Sequence, residues 1–349
     1  MELWLADSAW TAAVMAAAIE AGTAERDADR VLVTASCAEV PEVAHWWTDE
    51  PPAFIAPRFR AVVDLNRVIE PFHPTHYAPP PRNRHDIVAA IFEACGAHDI
   101  TSIVVPSLDT RPSTTLLDVF PTSPVTLVTA ELAQWAAASP SVAPARASRV
   151  TARAHVDLID GSAPRPRGLS VESVEISADA VAAVVRESTP LGQTPAGIVI
   201  ADADPFAEDA IPALVRHARQ LGDGRVAVVL AHARHDSRYG DVALELARHG
   251  VHADVVGWGP TALAWAAAPG TRAVGRGSTA LLAARLLGSR CTVAQGAATD
   301  PQNLDPAHAR ALADALQVTS PRPSSAHDRA RLWSDARRAL RRLLRSLRG

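Results

Sequence analysis

The stretch Ala273-Val-Gly-Arg-Gly-Ser-Thr-Ala-Leu-Leu-Ala-Ala-Arg-Leu-Leu287 is the most informative part of this chain for its fold. It predicts the end of a strand, a glycine turn through Gly275 and Gly277, and a helix that begins at Ser278 or Thr279. Leucines recur along that helix at helical spacing, which predicts that it packs on a sheet. Its free amides and hydroxyls favour a phosphate, because the helix dipole and the unpaired N–H groups both attract an anion.

A second pattern favours a phosphate site over the alternative, a structural helix that is merely capped. The predicted strand at 225–231 runs directly into His232-Ala-Arg234. A histidine and an arginine follow one strand, and the Ser278-Thr279 helix start follows a later one. Together they predict a site for a phosphorylated ligand.

Length and composition exclude several classes of protein. The chain has 349 residues, enough for two domains of ordinary size. All 34 basic side chains are arginine, which excludes chemistry that needs a lysine, such as a Schiff base or a P-loop. The formal net charge of −4 gives no general reason to expect nucleic-acid binding.

The cysteines and histidines predict neither disulfides nor a metal. Cys37, Cys95 and Cys291 are far apart along the chain, which fits a reducing compartment. The loop histidines His73 and His76 have no partner set at ligand spacing, so we expect no metal and no resident cofactor. The first residues lack the positive charge of a signal peptide, so we expect a cytoplasmic protein.

Alternating strand and helix patterns predict two successive parallel α/β units. The first domain is predicted at 1–190 and includes a linker rich in proline and arginine at 139–168. The second domain is predicted at 191–325. Two Rossmann-like domains that face each other across a cleft form the GT-B fold of many nucleotide-sugar transferases, and ligands of such sheets lie at the carboxyl ends of the strands.

The last residues, 326–349, predict a basic amphipathic helix. Between 329 and 348, apolar side chains form one stripe and eight arginines occupy much of the remainder. A helix of this kind can lie on the anionic inner face of a membrane. The alternative is a final helix that packs back on the first domain.

Several segments resemble the bacterial sialyltransferase and polysialyltransferase family, in its actinobacterial branch. They are residues 31–42, 59–66 and 69–76 in the first domain, 156–161 in the linker, and 198–209, 232–234 and 277–281 in the second domain. The resemblance implies a GT-B fold and inverting transfer of sialic acid from CMP-sialic acid to a glycan acceptor.

The resemblance also implies roles for individual residues. The histidine motif of the family corresponds to His232, and its serine/threonine motif to Ser278-Thr279. Both would hold the donor phosphate, and Arg234 and Gly277 would bind beside them. The acidic motif of the family falls at Thr129-Ala-Glu131, which makes Glu131 the expected general base.

Three alternatives to this assignment follow from the residues themselves. Asp160 is a second candidate base because Asp160-Gly161 reads as an acid followed by glycine. In Thr129-Ala-Glu131 the acid stands where the family has its glycine. The alternative function is therefore a catalytically degenerate relative that binds a nucleotide-sugar or acts as an accessory protein. A transferase for another nucleotide-sugar is also compatible with the pattern.

Overall fold

The computed structural model describes most of the chain as two parallel β-sheets with helices around them. The described residues are 1–22, 28–38, 52–96, 99–135, 143–159, 164, 169–187, 193–201, 205–206, 209–222, 225–231, 238–275 and 278–293.

The first sheet has seven strands in the order β3-β2-β1-β4-β5-β6-β7, and each neighbouring pair is parallel. Its strands are β1 Glu2–Ala6, β2 Arg30–Thr34, β3 Ala61–Asp64, β4 Ser102–Val105, β5 Val125–Thr129, β6 Val150–Val156 and β7 Ser173–Ile176. The central strands are apolar runs buried on both faces, as expected for a parallel sheet covered by helices.

The second sheet has five parallel strands in the order β10-β9-β8-β11-β12. Its strands are β8 Gly197–Ala201, β9 Val226–Leu230, β10 Ala253–Gly257, β11 Arg272–Gly275 and β12 Arg290–Val293. The two parallel sheets confirm the predicted α/β class with two Rossmann-like domains in the GT-B arrangement.

The helices lie on both faces of the sheets. They are α1 Ala9–Glu20, α2 Leu65–Val68, α3 Arg84–Cys95, α4 Ser113–Val119, α5 Pro144–Ala147, α6 Ala178–Arg186, α7 Ala210–Gln220, α8 Tyr239–Arg248, α9 Pro260–Ala267 and α10 Thr279–Leu286. Short 3₁₀ turns occur at Pro81–Asn83 and Leu132–Trp135.

One hydrophobic cluster extends across both domains. Every residue of α1 from Ala9 to Ile19 is buried, so this alanine-rich helix is enclosed on all sides. It contacts α6, and both helices contact α9 of the second domain. Trp10 of the first domain and Leu263 and Leu281 of the second belong to the same continuous buried cluster. The cluster joins the two sheets.

Part of the segment predicted as a linker belongs to the first sheet instead. Residues 150–156 of the predicted linker form β6, which pairs with β5 and β7. The backbone there is stabilised as part of the sheet, because each strand edge of β6 is hydrogen-bonded to a neighbour. The predicted boundary at residue 190 stays a prediction, since 188–192 lie outside the described residues.

Each sheet has one point at which the strand order reverses. In the first sheet the chain builds outward from β1 to β3 and then returns to β4 on the other side of β1. In the second sheet the corresponding reversal lies between β8 and β11. Loops that leave neighbouring strands in opposite directions open a crevice at such a point, and ligands of open α/β sheets bind there.

Candidate active site

Asp7 is the first residue after β1, at the reversal point of the first sheet. Ser8 follows it as the N-cap of α1, and its Oγ accepts a hydrogen bond from the Thr11 N–H at 3.1 Å. The Thr11 hydroxyl donates to Asp7 Oδ1 at 2.8 Å. The start of α1 therefore holds the Asp7 carboxyl at the carboxyl edge of the sheet.

Glu131 lies at the same edge, two residues after β5. The indole Nε1 of Trp10 donates to the Ala130 carbonyl at 2.9 Å, which fixes the backbone just before Glu131. The Glu131 N–H donates to Gln134 Oε1 at 3.0 Å. The Gln134 amide in turn donates to the Pro106 carbonyl after β4. Glu131 is therefore positioned by contacts from α1 and from the neighbouring strand.

The start of α10 faces these carboxyls from the second domain. Gly275 ends β11 where an added Cβ would meet Ile200 Cβ at 3.0 Å, so the strand end requires a glycine for its close approach to β8. Ser278 is the N-cap of α10, and its Oγ accepts from the Leu281 N–H at 3.3 Å. A hydroxyl that accepts in this way still has its own proton to donate.

Thr279 connects the two domains at the site. Its Oγ1 accepts a hydrogen bond from the Leu132 N–H at 2.9 Å. The same hydroxyl hydrogen-bonds the side chain of Glu131. Since the Thr279 side chain is used by these two contacts, it positions Glu131. The groups that face an incoming anion are then the backbone N–H groups of the helix start and the Ser278 hydroxyl.

The protein environment raises the pKa values of both carboxyls. Glu131 and Asp7 are half-buried, and protein rather than water surrounds each carboxyl. The pKa of Glu131 is raised to about 8: burial is the largest cause, the charge of Asp7 also raises the pKa, and the Thr279 hydrogen bond lowers it. Burial also raises the pKa of Asp7, against the hydrogen bond from Thr11. Both shifts follow from removing the charged form from water.

The arrangement combines a strong carboxylate base with an anion-binding helix start. A carboxyl with a pKa near 8 accepts a proton more readily than an ordinary carboxylate does, and its pKa is close to physiological pH. The start of α10 presents N–H groups that stabilise a developing negative charge. These are the two groups needed when a hydroxyl attacks a carbon whose leaving group is a phosphate.

The structure brings together three of the predicted site residues. Glu131, Ser278 and Thr279 lie at one place between the domains. His232, Arg234 and Gly277 lie outside the described residues, and so does the alternative base Asp160. The catalytic and phosphate-binding roles of all of these residues stay predictions.

Asp7 is the residue that sequence reasoning missed. It stands directly after the first strand and before an N-cap serine, a pattern that places a polar side chain at a ligand-binding edge. His73, for which we expected no metal-binding role, has a structural one: both of its ring nitrogens contact protein oxygens, those of Ala38 and Thr75. Within the described residues, no group of three or more metal-ligating side chains occurs.

Comparisons with known proteins give distant structural similarities. The E. coli heptosyltransferase WaaC with ADP is 12% identical with a TM-score of 0.45, and the match covers 92% of this chain and 100% of that one. For MurG of Acinetobacter baumannii the identity is 10% and the TM-score 0.37, with 90% and 82% covered. A UDP-N-acetylglucosamine 2-epimerase is 14% identical with a TM-score of 0.46, and 93% and 92% are covered. A likeness of this size assigns no substrate to this chain.

The predicted membership in the sialyltransferase family is wrong. No family model matches the chain, and no curated protein matches it. The similar solved structures are a heptosyltransferase, MurG and an epimerase, not sialyltransferases. Three of the segments that carried the resemblance, 31–42, 59–66 and 198–209, contain a short apolar strand that polar residues follow in the sequence, a pattern that any parallel α/β sheet repeats. The donor CMP-sialic acid rested on that resemblance alone and loses its basis.

Within the described part of the chain, no helix combines the length and the apolar character needed to cross a bilayer. The basic segment 329–348, for which membrane contact is predicted, lies outside the described residues.

Proposed function

We propose that the protein is a glycosyltransferase that moves a sugar from a nucleotide-sugar donor to a hydroxyl of a glycan acceptor. One observation carries the proposal. The hydrogen bond of 2.9 Å from the Leu132 N–H to Thr279 Oγ1 joins the residue next to the half-buried Glu131 of one domain to the helix start of the other. A base and a holder for a leaving phosphate thereby meet in the cleft of a GT-B fold.

In the proposed reaction the donor phosphate lies at the start of α10. The acceptor hydroxyl gives its proton to Glu131 while its oxygen forms the new bond to the anomeric carbon of the sugar. The bond from that carbon to the phosphate oxygen breaks, and its electron pair leaves with the nucleotide. The α10 N–H groups and the Ser278 hydroxyl stabilise the added negative charge.

Asp7 assists by its charge and its position. Its negative charge raises the pKa of Glu131, which makes Glu131 a stronger base once it is ionised. Asp7 also lies at the reversal point of the first sheet, so an acceptor that reaches Glu131 passes close to it. Because the leaving phosphate occupies the second domain, the acceptor occupies the carboxyl edge of the first.

The nucleotide and the sugar are left open by this proposal. The first experiment that tests the proposed function is calorimetric titration of the wild-type protein with ADP, UDP, GDP and CMP. The second measures sugar release from sugar-nucleotides that contain the nucleotide found to bind. Ser278→Ala is expected to weaken nucleotide binding by about tenfold, because a charge-assisted hydrogen bond is lost. Ser8→Ala is the matched control, since Ser8 caps α1 in the same way without facing the phosphate.

Binding without sugar release, in the presence of a pool of glycan acceptors, would favour the alternative function of a degenerate relative that only binds nucleotide-sugars. Absence of binding to all four nucleotides would contradict the proposal itself. Equal binding by the Ser278→Ala and Ser8→Ala proteins would contradict the placement of the phosphate.

A further inference from the structure

The loop between α2 and α3 crosses the carboxyl ends of the strands at one side of the first sheet. His73 Nε2 contacts the Ala38 carbonyl, beyond the end of β2, at 2.7 Å. Farther along the loop, the Tyr77 carbonyl accepts from the Thr115 hydroxyl at 2.9 Å and from the Arg111 guanidinium. The loop is therefore fixed at two points on the sheet edge that carries Asp7 and Glu131.

Phe72 presents an aromatic ring from this fixed loop. Its ring stacks on the buried ring of Tyr77 with centroids 4.6 Å apart and planes 14° from parallel. Phe72 is nevertheless 51% exposed, whereas Tyr77 is 8% exposed. One face of the Phe72 ring is thus covered, and the other is available to a ligand. A ring held in this way loses little conformational entropy when it binds.

The position of Phe72 fits the path of an acceptor. The two anchors of the loop lie beyond β2 and β4, the strands that flank β1 in the sheet. Asp7 directly follows β1, so the loop that carries Phe72 lies at the same edge of the sheet as this carboxyl. His76 and Glu70, on the same loop, are exposed and carry polar groups suited to sugar hydroxyls. An apolar surface with a few polar groups at its rim is typical of a small-molecule site.

We propose that Phe72 is a stacking platform for a pyranose ring of the acceptor, beyond the sugar whose hydroxyl reacts. The negative face of an aromatic ring attracts partially positive hydrogens, and the C–H groups of a pyranose ring provide them. The acceptor would then be an oligosaccharide or a glycan of more than one sugar. This inference rests on the proposed function only for its placement of the acceptor on the first domain.

The test is direct carbohydrate binding in the absence of nucleotide. Wild-type protein and the variants Phe72→Ala, Phe72→Trp and Phe206→Ala are applied to an array of bacterial and synthetic oligosaccharides, and dissociation constants are measured for each glycan retained. We expect the Phe72→Ala protein to bind about tenfold more weakly and the Phe72→Trp protein to bind as the wild type does. Phe206 is the matched control because it is a partly exposed phenylalanine of the second domain.

Unchanged binding by the Phe72→Ala protein would overturn the inference, and so would failure of the wild type to bind any glycan. Thermal unfolding of each variant shows whether it is folded, and the Phe72→Trp protein keeps the test decisive if Phe72→Ala is unstable. A failure of the proposed function is distinguishable, because it appears as lost nucleotide binding in calorimetry while glycan binding through Phe72 persists.

Discussion

The two sheets share one strand order, since β3-β2-β1-β4-β5 of the first corresponds to β10-β9-β8-β11-β12 of the second. Their carboxyl edges nevertheless carry different groups. At the first edge, Asp7 and Glu131 are half-buried carboxyls with raised pKa values. At the second edge, Ser278 and Thr279 open a helix whose N–H groups favour an anion. Asp7 and the start of α10 lie at the two reversal points that the topology supplies. The proposed function assigns proton acceptance to the first edge and phosphate binding to the second.

The two edges are also coupled through a few contacts. The Thr279 hydroxyl of the second domain accepts a hydrogen bond from the Leu132 N–H and hydrogen-bonds the Glu131 side chain. The charge of Asp7 raises the pKa of the same Glu131 carboxyl. Changes on either side should therefore alter the proton affinity of one carboxyl. Substitutions at either sheet edge therefore test whether both edges act on Glu131.

The largest effect is expected from Glu131→Gln. If the first edge supplies the base, the rate of sugar transfer falls by about 10²–10⁴-fold, because proton transfer from the acceptor is lost. Nucleotide binding at the second edge remains. Steady-state transfer kinetics and nucleotide titration measure the two properties separately. Glu93→Gln, an exposed position on α3, is the matched control, and an equal loss in both variants would remove Glu131 from the mechanism.

The same substitution should stabilise the protein at high pH. Folded Glu131 keeps its proton until about pH 8 instead of its ordinary 4.5. Unfolding therefore releases a proton between these values, so the free energy of unfolding falls as the pH rises through this window. The wild type loses up to about 5 kcal/mol in this way, an upper bound from the size of the pKa change.

Glutamine has no proton to release, so the Glu131→Gln protein escapes this loss. Thermal unfolding at pH 5, 7 and 9 measures the effect. The two proteins should be similarly stable at pH 5, and the variant should become the more stable one by pH 9. A constant difference across this range would mean that Glu131 is not held in its protonated form. A base that costs stability in this way is typical of functional sites.

Much of the fold was accessible from the sequence because its signals are local. β2 and β5 are short runs rich in β-branched residues and buried on both faces, which is the pattern expected for strands of a covered parallel sheet. The start of α10 was accessible for the same reason, because an N-cap serine after a glycine turn is a local signal.

The strand β6 could not be predicted from the sequence, because two polar side chains interrupt its run of apolar residues. Arg153 and His155 are buried in it. The Arg153 guanidinium donates to the carbonyls of Val171 and Pro164, and His155 Nδ1 contacts the Ser173 hydroxyl. Those partners are supplied by tertiary structure, so the strand reads as a polar linker in the sequence alone.

In the candidate site, too, the features set by neighbouring residues could be predicted from the sequence, whereas those set by distant residues could not. Ser278 could be assigned from its neighbours, but the role of Thr279 depends on Leu132, which is 147 residues away along the chain. The importance of Asp7 likewise arises from a carboxyl on another strand. Contacts between residues this far apart in the chain leave no periodic pattern in a single sequence, so they could not be predicted from it.

Asp7→Asn is expected to change the pH dependence of transfer. The charge of Asp7 is the second cause of the raised Glu131 pKa, after burial, so its removal should lower the midpoint of the pH–rate profile by about one pH unit. The midpoint should remain well above the ordinary value of 4.5 because burial persists. The profile of kcat/KM between pH 5 and 10 measures this shift, and an unmoved midpoint would show that the two carboxyls do not interact.

The smallest effect, and of opposite sign, is expected from Thr279→Val. The Thr279 hydrogen bond lowers the pKa of Glu131 and is the last of its three causes, so the midpoint of the same profile should rise by less than Asp7→Asn lowers it. The Leu132 N–H also loses its acceptor, which costs about 1–2 kcal/mol of stability. Thr279→Ser keeps the hydroxyl and is the matched control. If Asp7→Asn and Thr279→Val move the midpoint of the pH–rate profile in opposite directions, both sheet edges act on the Glu131 carboxyl. If both substitutions move the midpoint in the same direction, Thr279 does not lower the pKa of Glu131.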